Sequence, residues 1–221
     1  MEEKISSGSE VIDNLLDGGY NKIITIIYGP AASGKTTLAM LAAIQQAKQG
    51  EKSIFVDTEN GFSVDRLKQL SGENFEKILH NIIIFSIKSF SEQQEKMEKI
   101  KLLVDNGKIS LVIVDTIGSK YRVKLSEDAY KANKSMDMQL RTLADITRQG
   151  VPVILTEQVY DNLTNGQINL VGGNMLRNWG KCIIELEKIN SKRKAIIRKH
   201  DSLTNKEILF EIKEKGIFGI N

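Results

Sequence analysis

Residues 29–36 read Gly-Pro-Ala-Ala-Ser-Gly-Lys-Thr and fit the pattern G-x-x-x-x-G-K-[ST]. A loop of this kind works only between a strand and a helix. Both flanks are present: the β-branched run IITIIY (23–28) leads in and TLAMLAAIQQA (37–47) leads out. Glycines at 29 and 34 let the chain wrap so that successive backbone N–H groups point at phosphates, at the positive end of the following helix. Lys35 is then placed to reach the β- and γ-phosphates, and the Thr36 hydroxyl to ligate Mg²⁺. The expected cradle comprises Gly29, Pro30, Ala31, Ala32, Ser33, Gly34, Lys35, Thr36 and Thr37.

Further short apolar runs follow: SIFVD (53–57), NIIIFSI (81–87), LVIVD (111–115), VPVILT (151–156) and CIIEL (182–186). Near-continuous apolar runs suit strands covered on both faces of a parallel sheet. The stretches between them have helical spacing. Residues 38–49 form one such stretch. In 89–105, Phe90, Met97, Ile100 and Val104 form one stripe, and in 135–149 so do Met136, Leu140, Leu143 and Thr147. Strand alternating with helix predicts βαβ units and an α/β fold. The tail differs, because KAIIRK (194–199) and EILFEI (207–212) are separated by a turn-like segment, which predicts an antiparallel hairpin closing the sheet edge. With no internal repeat and only two prolines, residues 1–221 read as one domain.

A triphosphate site needs a carboxylate near the metal. Asp115 ends the LVIVD run, at the carboxyl end of a strand where sites form in open α/β sheets. The same Asp also suits a helix cap before Thr116. Another strand ends in Val56-Asp57-Thr58-Glu59, and either Glu59 or Asp57 could polarise an attacking water.

The single cysteine, Cys182, excludes an intramolecular disulfide, and the charged start (Glu2, Glu3, Lys4) lacks the apolar run of a secretion signal. No stretch approaches the roughly 20 apolar residues of a membrane span. A cytoplasmic protein is expected. The net charge of +3 is unevenly spread: residues 188–200 hold six Lys or Arg and no acid, and 118–134 add Lys120, Arg122, Lys124, Lys131 and Lys134. Either segment could attract a polyanion or simply be solvated surface.

Taken together these residues resemble the RecA/RadA recombinase superfamily, and within it the short RadB-type paralogues of archaea. The resemblance spans nearly the whole chain. SSGSEVIDNLLDGGYNKIITIIYGPAASGKTT (6–37) is similar to the recombinase lead-in, and VDTENGFSVDRL (56–67) to the segment carrying the catalytic glutamate, which maps to Glu59. In that segment the arginine that packs on adenine corresponds to Arg66. LTEQVY (155–160) resembles the strand end whose glutamine senses the γ-phosphate, which gives that role to Gln158, and VGGNML (171–176) the glycine pair closing the second DNA loop. The resemblance implies a RecA-like P-loop NTPase core with ATP and Mg²⁺ as cofactors, Asp115 as the Walker B carboxylate, and two DNA-contacting loops near 119–133 and 161–172. Arg122, Lys124 and Lys131 are the expected DNA contacts, with Tyr121 and Tyr130 as stacking or packing rings, and Trp179, Arg177 and Lys181 as a further group.

Departures from the family pattern refine the expectation. The P-loop strand begins at residue 23, so a helix-hairpin-helix domain is not expected, and no Phe-x-x-Ala polymerisation motif occurs in the sequence. Extended filaments are therefore not expected, although a homo-oligomer remains open. Glu157 stands where recombinases place Asn, adding negative charge beside a DNA loop. Lys199-His200-Asp201 replaces the usual Lys-His-Arg, so an acid on the same strand face would offset a finger supplied by Lys199 in trans. These features predict an ATP-binding, weakly hydrolysing protein that binds single-stranded or branched DNA and assists recombination and repair without strand exchange. Its partners would include a recombinase or a junction-resolving nuclease. A KaiC-like or helicase-like ring ATPase and a non-enzymatic, ATP-gated recruiter are the alternatives.

Overall fold

The computed structural model describes residues 3–161, 168–170, 172–203 and 205–220. The elements in chain order are α1 (Glu10–Leu15), β1 (Ile24–Gly29), α2 (Lys35–Lys48), β2 (Ser53–Asp57), α3 (Val64–Ser71), α4 (Phe75–His80), β3 (Ile82–Ser86), α5 (Phe90–Asp105), β4 (Leu111–Asp115), α6 (Ser119–Glu127) and α7 (Ala129–Arg148). Then follow β5 (Val153–Asp161), β6 (Ile168–Leu170), α8 (Gly173–Trp179), β7 (Cys182–Ile189), β8 (Lys192–Lys199), β9 (Glu207–Lys213) and β10 (Gly216–Gly219). No helix among the described residues is long and apolar enough to cross a membrane.

The main sheet runs β10-β9-β8-β7-β1-β5-β4-β2-β3, with β6 off this path and paired with β5. From β7 to β3 the pairing is parallel, and from β7 to β10 it is antiparallel. The expected hairpin at the sheet edge is present. It is one part of a longer antiparallel extension, since β10 adds a strand whose short sequence, Gly-Ile-Phe-Gly, carries no readable alternation.

The apolar runs are continuous because both faces are covered. In β4, Leu111 and Ile113 face the layer formed with α1 to α4, while Val112 and Val114 face the layer formed with α5 to α8. Helix α2 is buried almost around its circumference, and its alanines allow close approach to the sheet. Helix α5 buries the predicted Phe90, Met97, Ile100 and Val104. Helix α7 begins at Ala129, six residues before the periodic stretch. The Asp128 carboxylate caps it by accepting the Lys131 N–H at 3.0 Å, and Ile146 rather than Thr147 completes the buried stripe.

The segment expected as the first DNA loop is thus a helical hairpin, α6 and the start of α7. Tyr121 explains why it is ordered: it is buried, packs on Phe90 with ring centroids 5.9 Å apart, and donates its hydroxyl to Asn133 Oδ1 at 2.6 Å. Tyr121 therefore serves packing and not base stacking, whereas Tyr130 is 77% exposed. Most of the second expected loop, residues 162–167 and 171, lies outside the described residues. Its flanks pair as β5 and β6, so β5 runs past Gln158 to Asp161.

The C-terminal strands are integral to the core. Phe210 is fully buried in the layer that holds α1 and α2, whereas Phe218 on β10 is 44% exposed. Phe210→Ala should cost about 3–5 kcal/mol in denaturant unfolding, and Phe218→Ala about 1 kcal/mol or less. Equal losses would contradict this placement of the two strands.

Candidate nucleotide site

The carboxyl ends of β1, β2, β4 and β5 converge on residues 29–36. Register places Gly29 beside Gln158, Ile27 beside Thr156, and Asp57 beside Asp115. Helix α2 starts at Lys35 with no side-chain cap, so the amide groups of its first turn are left to the loop. Gly34 has φ 107°, and a Cβ there would stand 2.7 Å from Ile212 Cδ1, so any other residue would be strained and would press on β9.

Lys35 folds over the loop, donating from Nζ to Gly29 O at 2.8 Å and Pro30 O at 2.9 Å. Burial holds its pKa below the ordinary lysine value, while Asp115, Glu59 and Glu157 oppose that shift. Asp115 is 4% exposed, and burial raises its pKa against the hydroxyls that hold it. Thr36 Oγ1 donates to Asp115 Oδ2 at 2.7 Å, and Thr156 Oγ1 donates to Oδ1. The helix-cap alternative for Asp115 is not what the geometry displays, because its two oxygens face Thr36 and Thr156.

Among the described residues no three His, Cys, Asp or Glu side chains converge as a metal cage. One carboxylate beside one hydroxyl suits Mg²⁺ that shares phosphate oxygens, since this ion keeps few protein ligands. Among the described residues the buried Ser33 hydroxyl has no partner and the first turn of α2 has no side-chain cap, so the residues present fit a bound triphosphate.

Glu59 and Asp57 separate clearly. Asp57 is buried and accepts the N–H groups of Glu59 (3.2 Å), Gly61 (3.0 Å) and Phe62 (2.9 Å), so its carboxylate organises the loop after β2. Glu59 is exposed at that loop. Gln158 Nε2 lies 3.1 Å from its Oε1 and 2.8 Å from its Oε2, joining the two residues that the family pattern singles out.

Glu157 does not present charge to a DNA loop. It is 1% exposed, its Oε1 accepts the Gln158 N–H at 2.9 Å, and its carboxyl abuts Gly118, where a Cβ would stand 2.4 Å from Oε2. Burial pushes its pKa up to about 8, against the N–H groups of Gln158 and Gly118 that favour the ionised form.

Arg66 lies on α3, and its guanidinium reaches Glu214 O (2.8 Å), Lys213 O (2.9 Å) and Gln69 Oε1 (3.0 Å). It clips the β9–β10 turn beside the strand that covers Gly34. Sequence reasoning overlooked two residues here. Thr156 holds the second oxygen of Asp115, a role with no sequence signature. Arg193 on β8 donates from Nε to Ala32 O at 3.2 Å, hidden in the sequence within a basic run.

Two cations of that basic run meet acids across the sheet: Lys194 meets Glu207 at 2.6 Å, and Arg198 meets Glu185 at 2.5 Å. On the helical hairpin, Lys124 pairs with Glu127 at 2.9 Å and Lys131 with Asp128 at 3.2 Å, while Arg122 is exposed without an acidic partner among the described residues. Trp179 packs at the edge of α7, donating from Nε1 to Asp137 Oδ1 at 3.2 Å under Arg141. The expected strand-face alternation of Lys199 and Asp201 fails because β8 ends at Lys199. Lys199 Nζ donates to Arg177 O at 2.8 Å, and Asp201 lies in the turn beyond, where the Ser202 N–H meets His200 Nδ1 at 3.1 Å.

Comparison with known proteins agrees with this geometry. The sequence model of the Rad51 family matches residues 3–220. A protein of Methanobrevibacter smithii named "DNA repair and recombination protein RadB" is 40% identical over 216 residues, covering 93% of this chain and 92% of its own length. A protein of the same name from Methanocaldococcus jannaschii is 38% identical over 207 residues, covering 92% of this chain and 96% of its own. A solved structure described as the crystal structure of the RadB recombinase superposes with a TM-score of 0.83 at 34% identity, covering 98% of this chain and all of that one. With its P-loop, Asp115 and the Glu59–Gln158 pair set at the ends of a RecA-like sheet, the chain belongs to the Rad51 family, on its RadB branch.

Proposed function

We propose that this chain is an ATP-binding, weakly hydrolysing protein that binds DNA and assists recombination and repair without exchanging strands itself. The observation that carries the reading is the convergence of Asp115, Thr36, Glu59 and Gln158 at the ends of β2, β4 and β5. The names of the relatives, DNA repair and recombination protein, support the biological setting.

Each residue has a role that follows from its position. Residues 29–37 hold the phosphates through backbone amides, and Lys35 turns from the carbonyls of Gly29 and Pro30 to the β- and γ-phosphates. Thr36 and Asp115 would hold Mg²⁺, which would supply positive charge to neutralise the phosphate oxygens. Glu59 accepts the proton of the attacking water at its carboxylate, and the Gln158 amide orients that carboxylate. Arg66 and the β9–β10 turn border the base. Slow turnover follows if a cation in trans is needed and Lys199 is engaged by Arg177 O, because such a finger raises rates by about 10³-fold or more.

DNA contact falls on Arg122, Lys124 and Lys131. The ion pairs of the two lysines are exposed and screened by solvent, so phosphates displace the acids readily. Residues 161–167 contain no Lys or Arg, which leaves the electrostatic part of DNA affinity to the helical hairpin. A recombinase or a junction nuclease is the expected protein partner.

Glu59→Gln should leave ATP affinity within about twofold and abolish hydrolysis, a general base contributing about 10²-fold or more. Turnover matching wild type would remove Glu59 from this role. For DNA, Arg122→Ala with Lys124→Ala should weaken oligonucleotide binding and flatten the log–log salt slope by about 1–2. An unchanged slope would place the phosphate contacts elsewhere, with residues 188–200 next to be examined.

A further inference from the structure

A line of buried amides leaves the turn after β4 and crosses an otherwise apolar layer. That layer, between the sheet and α5 and α7, is built from side chains such as Phe90, Met97, Ile117, Met136 and Leu140. Within it Gln93, with no exposed surface, donates from Nε2 to Ile117 O at 3.1 Å and to Gln139 Oε1 at 3.0 Å. Gln139, itself 1% exposed, stands 3.4 Å through Nε2 from Ser135 Oγ, which donates to Gln94 Oε1 at 2.6 Å.

The two ends of this line lie at different sites. The inner end is the turn 115–118, which is pinned to the strands that carry the nucleotide residues. Ile117 N donates to Thr156 O at 3.1 Å, and Thr116 N donates to the hydroxyl of Thr58, the neighbour of Glu59, at 3.0 Å. Thr156 also holds Asp115. The outer end, Gln94 and Ser135, lines a cavity of about 530 Å³ between α5, α6 and α7, with Lys88, Lys120 and Lys124 around it. Lys88 and Lys120 have no acidic partner among the described residues.

Packing alone does not account for the pair. Among the described residues Gln93 Oε1 has no hydrogen-bond partner, and a bare acceptor in an apolar layer opposes folding, whereas a methionine would fill the same space without that cost. Both Nε2 hydrogens are used to bridge the turn and α7.

We propose that Gln93 and Gln139 are positioning residues that couple the phosphate site to the cavity between α5, α6 and α7. Nucleotide held by the P-loop then changes the affinity of that cavity for nucleic-acid phosphates, and nucleic acid there changes nucleotide affinity by the same factor. The inference rests on the reading of α6 and α7 as a DNA surface.

The test uses the full chain carrying Gln93→Met with Gln139→Met, because removing both amides together avoids stranding one of them. Affinity for a fluorescent oligo-dT is measured with and without Mg²⁺ and a non-hydrolysable ATP analogue. Hydrogen exchange of residues 119–127 is followed with the same nucleotide and no DNA. In wild type the nucleotide should shift oligonucleotide affinity by about fivefold or more and alter exchange in α6. In the double variant each ligand alone should bind within about twofold of wild type, while the shift and the exchange response disappear. If the double variant melts more than about 10 °C below wild type, Gln139→Met alone is measured with the same expectations, since it keeps the bond to Ile117 O. A variant that retains the full shift, or a wild type whose α6 exchange ignores nucleotide, overturns the coupling. Failure of wild type to bind oligo-dT overturns the DNA reading instead, and the exchange measurement then decides the coupling by itself.

Discussion

The carboxylate of Asp115, held between the hydroxyls of Thr36 and Thr156, is the interaction on which the rest of the site depends. It joins the first turn of α2 to the ends of β4 and β5, three elements distant in sequence. Because the carboxylate is buried it would be costly without those donors. Its position also fixes the turn 115–118, through which Thr58 on the loop after β2 and Gln93 on α5 are tied to the same point. The site is therefore one connected polar network set in an apolar sheet.

Much of this was legible in the sequence. The P-loop is readable because its function requires glycines, a lysine and a hydroxyl at fixed spacing between a strand and a helix, so local sequence determines it. Apolar runs ending in Asp57 and Asp115 placed the strand ends to the residue, because burial on both faces leaves no polar interruption. Choosing between Asp57 and Glu59 needed the backbone: three N–H groups converging on Asp57 depend on how the loop folds back, which no pattern encodes.

What the sequence hid depends on neighbours far along the chain. In residues 188–200, Lys194 and Arg198 read as part of a uniform basic patch because their partners Glu207 and Glu185 belong to adjacent strands. Glu157 read as a surface charge because nothing local reveals that it abuts Gly118. The hairpin of α6 and α7 read as a loop on family grounds, although Tyr121 and the Asp128 cap give it helical order. The amides of Gln93 and Gln139, separated by 46 residues, carry no motif at all.

On the proposed reading Asp115, poised by Thr36 and Thr156, forms with Thr36 the metal-dependent part of a triphosphate site. Calorimetric titration of ATP with and without Mg²⁺, in wild type and in Asp115→Asn, tests it most directly. Wild type should bind ATP more tightly with Mg²⁺ by about tenfold or more, roughly 1.4 kcal/mol, and the variant should lose that increment while keeping its metal-free affinity. An Asp115→Asn protein whose ATP affinity still rises with Mg²⁺ as much as wild type would contradict the account.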